Sequence, residues 1–114
     1  MEFNSNKPIY LQICDHVYEQ ILTEELKEDE RMLSVREYGA EIGVNPNTVM
    51  RSYEKLTQDE IIYNKRGIGY FIAENAKELV LKTLRREFIE NDLPEIAKRM
   101  KLLGIKPDIF DKYL

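Results

Sequence analysis

The 114-residue chain holds a single cysteine, Cys14, and a single histidine, His16. One cysteine excludes an internal disulfide and fits a reducing compartment. With no second thiol and no further histidine, no zinc-ligand set exists, and no metal is expected. No apolar run approaches the roughly 20 residues that a membrane-spanning helix needs. The opening MEFNSNKPIY lacks the apolar core of a signal peptide, so a cytoplasmic location without membrane contact is expected. No glycine-rich phosphate loop follows a strand, and no nucleophile–base pair stands out. An enzyme and a cofactor are therefore not expected. Internal repeats and low-complexity tracts are absent. An excess of positive charge is also missing: the net charge is −4, which at first sight argues against a nucleic-acid partner.

The distribution of charge changes that reading. Residues 1–30 carry two basic and eight acidic side chains, residues 31–72 six and five, and residues 73–114 nine and eight. The acidic excess lies in the first thirty residues, and DNA affinity depends on where the positive charges point rather than on the chain total. With 43% hydrophobic and 33% charged residues, the composition is that of a globular protein: one compact domain, or a small one with an appendage.

Hydrophobic spacing then orders the chain. A first helix starts at Pro8, with Ile9, Ile13, Val17 and Ile21 in one row and Tyr10, Cys14 and Tyr18 beside it, forming one apolar face. Glu24 to Glu30 reads as helix end and loop. A second helix follows Ser34, which pairs with Glu37 in the S-x-x-E pattern of a capping box, and Gly43 is placed to end it in a left-handed conformation. A third opens with Asn45 as N-cap and Pro46 as first residue; Val49, Tyr53 and Leu56 make its apolar stripe, and Asn47, Arg51 and Lys55 a separate polar one. The period then shortens. Ile61–Tyr63 and Gly69–Ile72 are β-favouring and flank the turn Lys65-Arg66-Gly67. From Asn75 the chain is helical again. Leu81, Leu84 and Phe88 mark one helix, Asn91 to Pro94 breaks it, and Leu93, Ile96, Met100 and Leu103 mark the next, which ends near Gly104. A short last helix is expected within residues 105–114.

Two short helices about a glycine-containing turn, followed by a basic hairpin, are the order of a winged helix-turn-helix. The expected fold is mainly α with a small β wing: a winged helix-turn-helix DNA-binding domain over residues 1–74 and a helical dimerisation tail over residues 75–114. The third helix anchors one face in a core and offers polar side chains on the other, and free N–H groups at its start can face a phosphate. Lys65 or Arg66 can lie along the DNA backbone or in the minor groove, with Gly67 allowing close approach.

Specific segments sharpen the pattern. PIYLQI at 8–13, LSVRE at 33–37, GVNPNTVMRSYEKL at 43–56 and KRGIGYFI at 65–72 closely resemble the GntR family of bacterial regulators. VNPNTV with a short helical tail looks most like the YtrA-type subfamily. The resemblance runs in order over residues 8–73 and implies a duplex-DNA-binding transcription regulator, a repressor acting as a homodimer on a near-palindromic operator. It implies that Arg36 contacts DNA from the second helix and that Ser34 both caps and contacts phosphate. Asn45, Asn47 and Thr48 fall at the start of the recognition helix, Arg51 on its exposed face, and Lys65, Arg66 and Gly67 in the wing. Pro46 stands where many members carry arginine, Met50 where many carry arginine or glutamine, and Leu33 replaces the usual proline before the serine. In YtrA-type proteins such tails look like dimerisation arms. Here Leu81, Leu84, Phe88, Leu93, Ile96, Met100 and Leu103 would bury against a second copy. About forty residues after the wing are too few to enclose a metabolite, so no small-molecule effector is evident.

Plainer readings stand beside these. Arg36 can pair with Glu37 or Glu41 on the helix surface, Arg51 and Lys55 can form a solvated face, and Lys65-Arg66 can be a soluble hairpin tip. Tyr70 reads as packing with a hydroxyl that can reach a phosphate, and Cys14 as buried packing. The rival functions are a winged-helix protein-interaction module, disfavoured by the cationic face of the third helix, an enzyme, and a single-strand or RNA binder. The last would want exposed aromatics, for which Tyr63 and Tyr70 are the candidates near the wing.

Overall fold

The computed structural model describes residues 1–4 and 6–114. Its contacts divide the chain into two compact units, Met1–Leu81 and Lys82–Leu114. In the first, helix α1 spans Ile9–Leu22 and starts from Pro8, whose carbonyl accepts from the N–H groups of Leu11 and Gln12. It buries Ile13, Cys14, Val17 and Ile21. Ile9 continues that row but stays 42% exposed, one turn outside the core. Helices α2 (Val35–Ile42) and α3 (Pro46–Gln58) follow. The apolar stripe of α3 is its core face: Val49, Tyr53 and Leu56 are fully buried. Ser52 is buried beside them. Its hydroxyl donates to the Tyr10 carbonyl at 2.8 Å, and the Cys14 thiol donates to the Ser52 carbonyl at 3.6 Å. A small residue with its polar groups paired thus lets α1 and α3 pack closely.

Strands β1 (Ile62–Lys65) and β2 (Gly69–Ile72) form an antiparallel hairpin, with Ile62 opposite Ile72 and Lys65 opposite Gly69. The segment expected as loop after α1 is partly a third edge of this sheet. Asp29 N–H donates to the Ile72 carbonyl at 2.7 Å, Ile72 N–H to Glu30 at 3.0 Å, and Met32 N–H to Tyr70 at 2.8 Å. Arg31 forms an isolated antiparallel bridge to Phe71; the acidic composition hides this contact, because the pairing uses backbone groups and only Met32 is buried. Ala76 and Val80, on the first turns of helix α4 (Ala76–Glu87), complete the core of this unit.

In the second unit the expected break at Asn91 to Pro94 is not a break. Phe88–Asp92 form a π-helical turn, and helix α5 (Leu93–Leu103) begins directly after it. Pro94 has no N–H to return to the carbonyl four residues back, and the wider turn absorbs the mismatch. Leu93 N–H donates instead to Phe88, five residues back. Gly104, at φ +67°, ends α5 in a left-handed cap, with Ile105 N–H donating to Met100 at 2.9 Å. The expected last helix is a 3₁₀ run over Pro107–Lys112. No residue of 82–114 is buried.

A candidate nucleic-acid interface

The α2–turn–α3 unit is built by local chemistry. Glu37 N–H donates to Ser34 Oγ at 3.1 Å, and Ser34 N–H donates to Glu37 Oε1 at 2.9 Å, a complete capping box. These bonds favour the carboxylate and hold the Glu37 pKa below its ordinary value. Gly43, at φ +70°, caps the end of α2. The Val44 N–H then turns back to the Gly39 carbonyl at 2.9 Å. A Cβ on Gly39 would lie 2.6 Å from the Val44 carbonyl oxygen, so the turn is as tight as it is only because residue 39 has no side chain.

On this frame Arg36 is exposed, and among the described residues it has no ion pair. The plain alternative of an Arg36–Glu37 pair fails for a reason: the Glu37 carboxylate is committed to the Ser34 backbone. Asn45 Oδ1 accepts from Asn47 N–H at 2.8 Å, which leaves the Asn47 side chain exposed. The start of α3, however, offers no free N–H. Pro46 has none, Asn47 is capped, and Thr48 and Val49 donate to the Asn45 carbonyl at 3.0 and 3.3 Å. A phosphate at this end would be held by side chains. Free donors lie instead at the start of α2, where Val35 and Arg36 N–H have no partner among the described residues.

Arg51 is exposed but not loose. Its guanidinium carbon lies 4.0 Å from the centroid of the Tyr10 ring, a cation–π stack that spans α1 and α3. Lys55 is held back by a 2.8 Å ion pair with Asp59, which removes it from the polar stripe that includes Asn47 and Arg51. The wing turn is closed by Ile68 N–H donating to the Lys65 carbonyl at 2.9 Å, with Gly67 at φ +80° in the position that tolerates it. Lys65 lies with its ammonium 4.7 Å from the Phe71 ring centroid, while Arg66 is exposed at the tip.

Three residues of this surface escaped the sequence reading. Tyr10 and Gly39 act through partners, and neither contact leaves a local spacing signal. Arg31 crosses β2, its Nε 3.0 Å from where a Gly69 Cβ would stand. The wing aromatics are not open stacking platforms: Tyr63 stacks on Phe71 at 5.7 Å, and Tyr70 packs edge-on against Tyr53 at 5.0 Å. The Tyr70 hydroxyl faces Met50 Sδ at 3.8 Å.

Residues 9–72 match the family described as bacterial regulatory proteins, gntR family. That span covers the three helices and the wing. The chain belongs to the GntR family. Among GntR relatives, the chain is 38% identical over 104 residues to the HTH-type transcriptional regulator YhcF of Bacillus subtilis, covering 91% of this chain and 84% of that protein. It is 40% identical over 101 residues to the HTH-type transcriptional repressor YtrA of Bacillus subtilis, covering 89% and 72%. The YtrA-type resemblance of VNPNTV and the short tail accords with that match. A GntR family transcriptional regulator from Listeria monocytogenes superimposes with a TM-score of 0.80 at 33% identity, over 97% of this chain and 96% of that one. The chain is a transcriptional regulator with a winged helix-turn-helix.

Proposed function

We propose that this GntR regulator acts in the cytoplasm as a repressor, binding a near-palindromic duplex operator as a homodimer, by binding and not by catalysis. In this reading α3 enters the major groove with Asn47, Thr48 and Arg51 toward base edges. Ser34, Asn45 and Arg36 hold phosphates beside it, and Lys65, Arg66 and Gly67 lie along the flanking backbone. The observation that carries it is Arg51 stacked on Tyr10 on the side of α3 away from the buried Val49–Tyr53–Leu56 stripe. A cation held over a ring has lost part of its conformational freedom before it meets a base, so less entropy opposes binding. The repressor assignment follows from what YtrA is named for.

The homodimer rests on apolar exposure in the second unit and the end of α4. Leu81 is 43% exposed, Phe88 46%, Leu93 39% and Leu103 68%, while Leu84, Ile96 and Met100 are half-buried. A two-fold copy burying the same residues closes the assembly and doubles the base contacts. Selection of bound sequences from a random duplex pool tests the reading. Recovery of a two-fold symmetric site is expected, and recovery of no enriched sequence overturns it. Affinity for the selected site should fall roughly a thousandfold or more between 50 and 200 mM salt, because several cations per protomer displace counterions.

A further inference from the structure

A cleft of about 220 Å³ opens in the first unit between α1, α2 and the stretch joining α1 to α2, lined by polar His16, Gln20, Tyr38 and Glu41 and apolar Leu26, Met32, Leu33 and Ile42. Among these, Gln20 Oε1 and the Tyr38 hydroxyl are buried polar atoms with no hydrogen-bond partner among the described residues. Tyr38 is only 7% exposed. Buried polar groups are nearly always paired, because an unpaired one loses its bonds to water without replacing them. Two such atoms from different helices, on residues that line one cleft, mark a place where the fold leaves bonding capacity unused.

The lining defines what fits. Leu26, Met32, Leu33 and Ile42 supply an apolar wall. Gln20 Oε1 only accepts, the Tyr38 hydroxyl accepts or donates, and the Glu41 carboxylate is exposed. Glu41 lies near enough that its charge, after burial, helps push the Tyr38 pKa up to about 12. Besides the His16 imidazole, the polar part holds two unused oxygens and one negative charge. A cavity of about 150 Å³ holds benzene, so this one admits a ring or short chain together with a small head group.

We infer that this cleft binds a small apolar amine, its body against Leu26, Met32, Leu33 and Ile42, with a side-chain shift on binding that opens Gln20 Oε1 and the Tyr38 hydroxyl, both closed to solvent in the free protein, to its ammonium beside the Glu41 carboxylate. The site belongs to the winged helix itself and does not depend on residues 82–114. It also stands apart from the DNA-binding reading, because its test needs no DNA. Its wall is nonetheless tied to that surface: the Leu33 carbonyl accepts from Tyr53 at 2.7 Å, and Leu33 precedes the Ser34 cap of α2.

Titration of the full chain with benzylamine, followed by ¹H–¹⁵N NMR, tests the inference, with benzyl alcohol and benzoate as comparisons. Saturable millimolar shifts confined to residues 16–42 are expected for the amine, at least threefold weaker binding for the alcohol, and none for benzoate. Glu41→Gln should weaken benzylamine about threefold to fivefold, and Tyr38→Phe about threefold to tenfold, the range of one lost hydrogen bond. Tyr38→Phe should melt no lower than the parent, because the hydroxyl it removes is unpaired. Equal binding of amine and benzoate, unsaturable shifts, or shifts unchanged by both substitutions would overturn the inference. A Tyr38→Phe variant several degrees less stable would also overturn it, by showing the hydroxyl already bonded within the fold.

Discussion

Gly39→Ala is a test in which the sign of the effect decides. A glycine inside an exposed helix costs about 0.8–1 kcal/mol relative to alanine, so an unobstructed Gly→Ala change at such a site stabilises. Gly39 is helical and buried, and the added methyl would sit 2.6 Å from the Val44 carbonyl oxygen, with Val49 Cγ2 at 3.6 Å and Pro46 Cα at 3.7 Å. The nearest obstacle is backbone and cannot rotate away. That same backbone is pinned, since Val44 N–H donates to Gly39 and residues 45–46 form the start of α3. Relief requires α3 to move from α2 by a few tenths of an ångström, and forced overpacking of this kind costs about 1–3 kcal/mol. A 2.6 Å contact with pinned backbone puts the cost in the upper half of that range, so after the propensity gain the net expectation is destabilisation by about 1–2 kcal/mol, or several degrees in Tm for a unit of this size. Gly43→Ala gives a contrast: nothing lies within 4 Å, but φ is +70°, so about 1 kcal/mol is lost through the backbone alone. Urea unfolding of the three proteins, with DNA affinity measured in parallel, checks the argument. A Gly39→Ala protein more stable than the parent would refute it. Unchanged operator affinity in a destabilised variant would refute the claim that the turn sets the pose of α3.

Arg51→Ala and Asn47→Ala should each cost roughly 1–3 kcal/mol of specific binding, shown by gel shifts on a selected site; Asn47→Ala should melt like the parent, and Arg51→Ala slightly lower, because it also loses the Tyr10 stack, worth about 0.5–1 kcal/mol. Tyr10→Leu should weaken that site more than it weakens random duplex, because it frees the Arg51 guanidinium without removing it. Phe88→Glu with Leu93→Glu should shift light scattering from dimer to monomer and leave the winged-helix fold intact; a monomeric parent at micromolar concentration would end the dimer proposal. Stability should fall on the alkaline side. Burial pushes the Cys14 thiol from an ordinary value near 9 up to about 11, and Tyr38 up to about 12. The unfolded chain therefore loses protons first, and the stability these groups contribute is present below about pH 9 and lost progressively toward pH 11 and above. Urea midpoints at pH 8 and pH 10.5 measure it, and equal midpoints would contradict the burial of both groups.

The parts of this protein that were legible in the sequence are those whose physics is local. Ser34 with Glu37, Asn45 with Pro46, and Gly43 each solve the bonding problem of a helix end within four residues, so sequence order is enough to see them. The Val49–Tyr53–Leu56 stripe is legible for the same reason, since it repeats at the helical period. What stayed hidden is made of contacts between distant segments. The extended bridge at Asp29–Met32 exists because β2 offers it carbonyl and N–H groups some forty residues later, and its own side chains argue for a loop. Gly39 reads as a weak helix residue until Val44 is folded over it. The turn at Phe88–Asp92 inverts the usual rule: proline at 94 signals an interruption, but a helix can absorb a missing N–H by widening instead of ending, and only the bond from Leu93 to Phe88 tells the two apart. The candidate interface divides along the same line. Which residues face outward follows from periodicity, whereas how firmly they are held does not. Arg51 and Lys55 are equivalent in sequence, one helical turn apart on a polar stripe. The fold stacks the first on Tyr10 and ties the second to Asp59. In the proposed interface, that difference separates the cation assigned to DNA from one already paired, and it is set by an aromatic ring on another helix.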